Sequence, residues 1–227
     1  MQRENAPSNA AAYLRKYSER HVAQEIRTHQ LPNGMVLLAE QMDWVESAAL
    51  TIMLPSGFSR DPADRMGLAN FACEMTQRGC GERDSREFVQ ALDRLGADRG
   101  ASVSPAHMHF SAAMLGENLG GVLSLYADLV RRPHLPEPQL EDGRSVCFHE
   151  LQSLEDDLAT RAMQSLKLQT YGQPWGRRAA GENEHIAAVS HKDIASFVGS
   201  NFVPEGAIIS VAGKIDWESL KSEVETA

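Results

Sequence analysis

The chain has 227 residues, of which 42% are hydrophobic and 23% are charged, so it can bury a sizeable core and has the composition of an ordinary globular protein. Its formal net charge of -9 argues against nucleic-acid binding, which needs a basic patch or stripe, and against anionic membrane surfaces. The sequence has no run of about 18 apolar residues, so it predicts no transmembrane helix.

The N-terminal segment and the cysteines bear on the compartment. Residues 1–25 lack the apolar core of a signal peptide, so we expect a helical or disordered extension. The three cysteines, Cys73, Cys80 and Cys147, are too few and too scattered for a disulfide scaffold. This favours a reducing compartment, and we expect the cytoplasm, or the periplasm if the N-terminus is processed.

Residues 26–227 are predicted to form a single domain in which strands come first, helices follow, and a strand returns near the end. Asn33-Gly34 predicts a tight turn between the first two strands. The predicted strands are 26–31, 35–40, 48–54, 99–104, 107–115 and 207–212. The predicted helices are 67–79, 85–95, 119–130, 137–156, 158–171, 190–201 and one from Trp217, with a loop over 172–184. This order indicates an α+β fold with helices packed on an antiparallel-rich sheet.

The predicted helix over GLANFACEMTQRG, residues 67–79, carries the most informative pattern in the chain. Apolar residues recur at helical spacing along it. Asn70, Cys73 and Glu74 stand at positions i, i+3 and i+4, so their side chains share one face of the helix.

This segment resembles the zinc helix of the M16 peptidase family, which includes pitrilysin, insulinase and the mitochondrial processing peptidase. Further pieces stand in the family's order along the chain. The matching positions are Gly67, Leu68, Ala69, Phe71, Met75 and Arg78-Gly79, and the further pieces are 31–34, 57–62, 92–97, 128–133 and 212–216. The resemblance implies an α+β metallohydrolase domain of the kind found in M16 and LuxS proteins, and the N-terminal half of a two-domain protein.

The resemblance also implies which residues occupy the zinc site. The family uses an H-x-x-E-H motif, in which two histidines bind zinc and the glutamate is the general base. Asn70 and Glu74 stand at the histidine positions, and Cys73 stands at the base position. The third ligand, a glutamate on a later helix, corresponds to Glu150 in RSVCFHELQSLEDD. Because only Glu150 is kept, we expect no catalytic residue and no bound metal, and zinc is implied by the resemblance alone.

Three hypotheses follow. In the first, the domain has lost peptidase activity and serves as a structural or substrate-holding half beside an active M16 subunit or second half, in a homo- or heterodimer that encloses a peptide. In the second, a rearranged metal site formed by Cys73, Glu74, Cys147 and Glu150 supports a metal-dependent endopeptidase or another metal-binding protein. In the third, the chain is a non-enzymatic interaction module. No nucleic acid or membrane partner is expected.

Two further histidine positions have simpler interpretations. His107 and His109 alternate on a predicted strand and so point to the same side, but no third ligand lies nearby in sequence, and we expect them to face solvent. His149 is turned about 100° from Glu150 around its helix, so we expect it at the surface.

Overall fold

A computed structural model describes residues 24–226, so most of the predicted extension over 1–25 lies outside the described residues. Its centre is a six-stranded sheet with the strand order β1-β2-β8-β3-β7-β6. The strands are β1 (Ile26–Gln30), β2 (Val36–Gln41), β3 (Ser47–Leu54), β6 (Asp98–Val103), β7 (Met108–Leu115) and β8 (Ile208–Gly213). Two short strands, β4 (Gly79–Cys80) and β5 (Arg83–Asp84), form a separate ladder. All pairings in the large sheet are antiparallel except β2 with β8.

The helices follow the predicted order. They are α1 (Leu68–Thr76), α2 (Ser85–Arg94), α3 (Leu119–Arg131), α4 (Leu140–Asp156), α5 (Leu158–Tyr171), α6 (Asn183–Ala188), α7 (His191–Asn201) and α8 (Trp217–Thr226). Asp84 begins α2 with a capping box, since its side chain accepts the Glu87 amide while Glu87 accepts the Asp84 amide. The predicted α+β fold, an antiparallel-rich sheet covered by helices, is confirmed.

Several predicted boundaries differ from the structure. Helix α1, predicted over 67–79, ends at Thr76, and Gly79 belongs to strand β4. The helix predicted from residue 137 begins with a 3-10 turn over Glu137–Gln139 and becomes α-helical at Leu140. Pro138 lies in that turn, where its missing N–H and fixed φ suit the first turn of a helix. The loop predicted over 172–184 ends early, because α6 begins at Asn183.

The sheet packs one face against helices. Leu50, Ile52, Phe110 and Val211 alternate inward on the central strands and are at most 5% exposed. Helices α3 and α8 cover this face. Helix α1 lies beside the edge strand β6 and also contacts α4 and α7, and this arrangement explains why it is buried on most sides. In residues 24–226 no helix is both long and apolar enough to cross a bilayer.

Candidate functional site

Helix α1 starts at a backbone position that only glycine adopts easily. Gly67 has a φ of 95°, and the Asp61 carboxylate accepts the amides of Gly67 and Ala69 at 2.8 and 2.9 Å. Burial raises the pKa of Asp61 to about 6, although those two amide bonds and the nearby Arg177 act in the opposite direction. Asp61 therefore fixes the first turn of the helix that carries the candidate site.

Helix α4 crosses α1 at very short range because Gly143 faces α1. A Cβ atom at Gly143 would lie 2.7 Å from Met75 Sδ and 3.1 Å from Phe71 Cε2. Arg144, the next residue, lies with its guanidinium 5.4 Å from the centre of the Phe71 ring and donates to the carbonyls of Ile186 and Val189. The two helices that carry the candidate residues are thus held together directly.

The structure brings Asn70 and Glu150 into contact. Asn70 Nδ2 donates a hydrogen bond to Glu150 Oε2 at 2.7 Å, joining α1 to α4. Glu74 is engaged differently, because the guanidinium of Arg78 donates to its Oε1 from Nε at 3.2 Å and from Nη2 at 2.8 Å. An amide N–H and an arginine therefore satisfy the two carboxylates.

Cys73 and Cys147 lie in the same helix interface and are buried, with exposures of 4% and 1%. Burial raises the pKa of both thiols to about 12, and the neighbouring carboxylates of Glu74 and Glu150 add to the rise. Both groups are therefore protonated thiols at neutral pH. A buried neutral thiol cannot accept a proton as a general base does.

These residues do not fit the zinc ion that the family resemblance implies. A zinc ligand must present a free lone pair, but the Asn70 amide nitrogen is a donor that points at the remaining glutamate. Within residues 24–226, no three His, Cys, Asp or Glu side chains are arranged to hold a metal ion. The set Cys73, Glu74, Cys147 and Glu150 lies close together, as the effects on the thiol pKa values indicate, but Glu74 is paired with Arg78 and Glu150 accepts a hydrogen bond from Asn70.

His109 lies in β7, and His107 immediately precedes that strand. The rings of His107 and His109 are 6.1 Å apart and nearly perpendicular, which confirms the shared direction. Both residues are half-buried rather than facing solvent, and His109 Nε2 lies 3.0 Å from Oγ of Ser104, the residue after β6. His149 is exposed on α4, as predicted.

Sequence reasoning missed the role of Asp61. The residue was part of a matching segment, 57–62, but nothing in its spacing shows that it reaches the first turn of α1. The signal that could have found it is a carboxylate that precedes a helix lacking a Ser, Thr, Asp or Asn cap of its own, because the free amides of such a helix need an acceptor.

Comparison with known proteins identifies relatives of this chain. The family model for "Insulinase (Peptidase family M16)" matches residues 36–182. A Bacillus subtilis protein named "Uncharacterized zinc protease YmxG" is 24% identical over 201 residues, which are 88% of this chain and 49% of that protein. The Arabidopsis thaliana protein named "Probable mitochondrial-processing peptidase subunit beta, mitochondrial" is 21% identical over 211 residues, or 92% of this chain and 40% of that protein.

Solved structures share the fold. A peptidase M16 inactive domain from Pseudomonas fluorescens has a TM-score of 0.80 at 18% identity, over 89% of this chain and 50% of that one. A protease from Helicobacter pylori has a TM-score of 0.82 at 17% identity, over 89% and 49%. The chain thus spans about half the length of the relatives that it matches. Since the family model covers more than half of the chain, the protein belongs to the insulinase family of peptidases, family M16.

Proposed function

We propose that this chain is a catalytically inactive M16 half that holds substrate or provides structure beside an active M16 half. The observation that carries the proposal is the 2.7 Å hydrogen bond from Asn70 to Glu150. This bond engages Glu150, the one zinc-ligand position of the family that is kept, and joins α1 to α4. Family-type hydrolysis requires two more ligands and a base at positions that hold an amide, a protonated thiol and an arginine-paired carboxylate.

The expected loss of activity is large. Removing a general base alone typically lowers a rate by about 10²- to 10⁴-fold. Without metal ligands, the chain also lacks the Lewis acid and the activated water on which a metallopeptidase depends. The two effects together leave no route to hydrolysis by the family mechanism.

Two observations support a role beside another half. The chain spans about half the length of its relatives, and one relative is named as a subunit of a processing peptidase. Strand β6 is an edge strand that packs against α1, so the backbone groups on its outer side can pair with an added peptide strand. A bound peptide would then lie beside α1 without being cut.

The first test is metal content. Purified protein, grown with zinc and never exposed to chelator, is compared with the triple variant Asn70→His, Cys73→Glu, Glu74→His, which rebuilds the family motif opposite Glu150. We expect less than about 0.1 equivalent of zinc in the wild type and a clear gain in the triple variant, measured by elemental analysis. The wild type should leave a fluorogenic peptide uncut.

Two results would contradict the proposal. Near one equivalent of zinc in the wild type, lost in the Cys73→Ala, Cys147→Ala double variant, would show that the site was rebuilt around thiolates. Chelator-sensitive peptide cleavage by the wild-type chain alone would show that it is itself a peptidase.

The partner role has a separate test. The tagged chain is purified from its source, and co-purifying chains are identified by mass spectrometry. We expect a protein with an intact H-x-x-E-H motif in stoichiometric amount. We also expect the complex to cleave peptide, and mutation of that motif in the partner to abolish the cleavage. Recovery of the chain without such a protein would refute the partner role.

A further inference from the structure

A second feature beside the helix pair is a cleft between α4, α5, the end of β6 and residues 172–180. It has a volume of about 710 Å³, and Glu150 lies on its wall. Its apolar surface comes from Phe58, Val103 and Leu154, and from two aromatic residues near the outside. These are Tyr171 and Trp175, which remain 66% and 52% exposed. The cleft is thus continuous with the candidate site and open to solvent.

The charge of this cleft is opposite to that of the whole protein. The chain carries a net charge of -9, yet four positively charged side chains line the cleft against Glu150 alone. The four are Arg161, Lys167, Arg177 and Arg178. Glu155 stands next to them, 2.6 Å from Arg178 and 3.6 Å from Arg161. Counting both carboxylates leaves an excess of two positive charges.

Two of these cations form hydrogen bonds that hold the cleft wall in place. Arg177 donates to the Asp61 carbonyl at 2.7 Å and to the Gln173 side chain, so it ties the cleft wall to the loop before α1. Arg178 is held by Glu155. Lys167 differs, because it is exposed and forms no hydrogen bond or ion pair through its side chain with any part of the chain between residues 24 and 226. Lys167 is therefore available to a ligand, and the half-exposed Arg161, whose Nε lies 3.6 Å from Glu155, is reached by a ligand carboxylate that replaces this exposed ion pair.

We propose that this cleft binds an acidic peptide segment, with carboxylates at Lys167 and Arg161 and an apolar or aromatic side chain against Tyr171 and Trp175. The proposal deepens the substrate-holding role, on which it rests, by naming the class of peptide. Arginine and lysine pair with carboxylates, and exposed aromatic residues beside them supply apolar contact area.

A peptide fits this cleft better than a nucleic acid does. The excess of positive charge is local and small, so it matches a few carboxylates of a short segment. A long polyanion would extend beyond the cleft onto a surface whose net charge is -9 and would be repelled there. An oligonucleotide is therefore a control ligand.

The test measures peptide binding to the purified 227-residue protein by calorimetry. The ligand is a ten-residue peptide with three glutamates and one phenylalanine, compared with its Glu→Gln twin and with single-stranded oligothymidylate of about eight nucleotides. We expect the acidic peptide to bind at least about tenfold more tightly than the Gln twin in low salt, and to lose that advantage in about 0.5 M salt.

Matched charge reversals locate the site. Lys167→Glu should weaken binding of the acidic peptide about five- to tenfold, because an attraction becomes a repulsion at one exposed position. Lys214→Glu makes the same change beside Ser47, at the start of β3, whereas the cleft lies beyond the other end of that strand. It should leave binding within about twofold of the wild type. Thermal melting checks that both variants fold.

Equal affinity for the acidic peptide and its Gln twin, equal effects of the two reversals, or tighter binding of the oligonucleotide would each overturn the proposal. Mass spectrometry of the peptide after incubation reports cleavage separately. Cleavage would refute the proposal that this half is inactive and would leave the charge preference of the cleft unaffected. If the peptide stays intact and does not bind, only the proposed peptide site in the cleft is refuted.

Discussion

At the scale of single residues, Asp61 has the greatest influence on the helix that carries the candidate site. Its carboxylate is 5% exposed and accepts two amides at the start of α1. Because the pKa of Asp61 is higher in the folded than in the unfolded state, the protonated carboxyl stabilises the folded protein. This stabilisation is fully present below the unfolded pKa, near 4, and is lost as the pH rises through the folded pKa, about 6. The loss across that window is roughly 3 kcal/mol.

The Asp61→Asn variant tests this linkage. The amide does not titrate, so the variant should gain roughly 3 kcal/mol in the free energy of unfolding relative to wild type between pH 4 and pH 7. Urea unfolding of both proteins at four pH values measures the difference and cancels the contributions of other acids. A difference that stays constant over this range would show that Asp61 titrates near its ordinary pKa.

Single residues also show how much of the candidate site could be predicted from the sequence. The resemblance implies that Asn70, Cys73 and Glu74 replace the zinc motif and that Glu150 is the remaining ligand, and the structure brings Asn70 and Glu150 together. The use of that contact as a hydrogen bond, and the pairing of Glu74 with Arg78, depend on side-chain reach and orientation. The sequence does not contain that information in readable form.

At the scale of elements, the strands of the large sheet and every helix except α6 were predictable, because strands and helices each have their own hydrophobic period, whereas the two-residue strands β4 and β5 and the short α6 were not predicted. The pairing of strands was not predictable, because a buried apolar strand such as β8 has the same pattern whether its neighbour is parallel or antiparallel. Its parallel partner is β2, about 170 residues earlier in the chain. The cleft could not be predicted from the sequence either. Its cations lie on α5 and on the loop after it, and only the packing of these elements against α4 brings them to Glu150.

The approach of α4 to α1 gives a prediction at this scale. A glycine inside a helix ordinarily only weakens it, but Gly143 leaves the space that Met75 and Phe71 fill. Gly143→Ala should lower the free energy of unfolding by about 1–2 kcal/mol, because the added methyl group meets a fully buried Met75 and the strain exceeds the gain in helix propensity.

Gly199 in α7 is the matched control for this substitution. A Cβ atom there would meet no atom within 4 Å, and the residue lies in a helix like Gly143. Gly199→Ala should therefore raise the free energy of unfolding by about 0.5–1 kcal/mol. Denaturant unfolding of both variants measures the two changes. Similar gains in the free energy of unfolding would show that the α1–α4 interface has space for the added methyl group.

At the scale of the whole molecule, stability is distributed unevenly between the sheet with its covering helices and α5. Helix α5 has no buried residue, and Leu158, Met163 and Leu166 on it are more than half exposed. Helix α7 is shorter but buries Ile194, Phe197 and Val198. Because local opening costs little where few apolar groups are buried, α5 should open far more often than α7.

Hydrogen exchange of the isolated chain, followed by mass spectrometry, measures this difference. We expect amides in residues 158–171 to exchange at least about 100-fold faster than those of α7 and of strands β3 and β7, corresponding to about 3 kcal/mol less protection. The same experiment with the acidic peptide should slow exchange in α5 and leave α7 unchanged, because the peptide contacts only the cleft side. Equal protection of the two helices in the free protein would mean that α5 is fixed by contacts stronger than its exposed surface indicates.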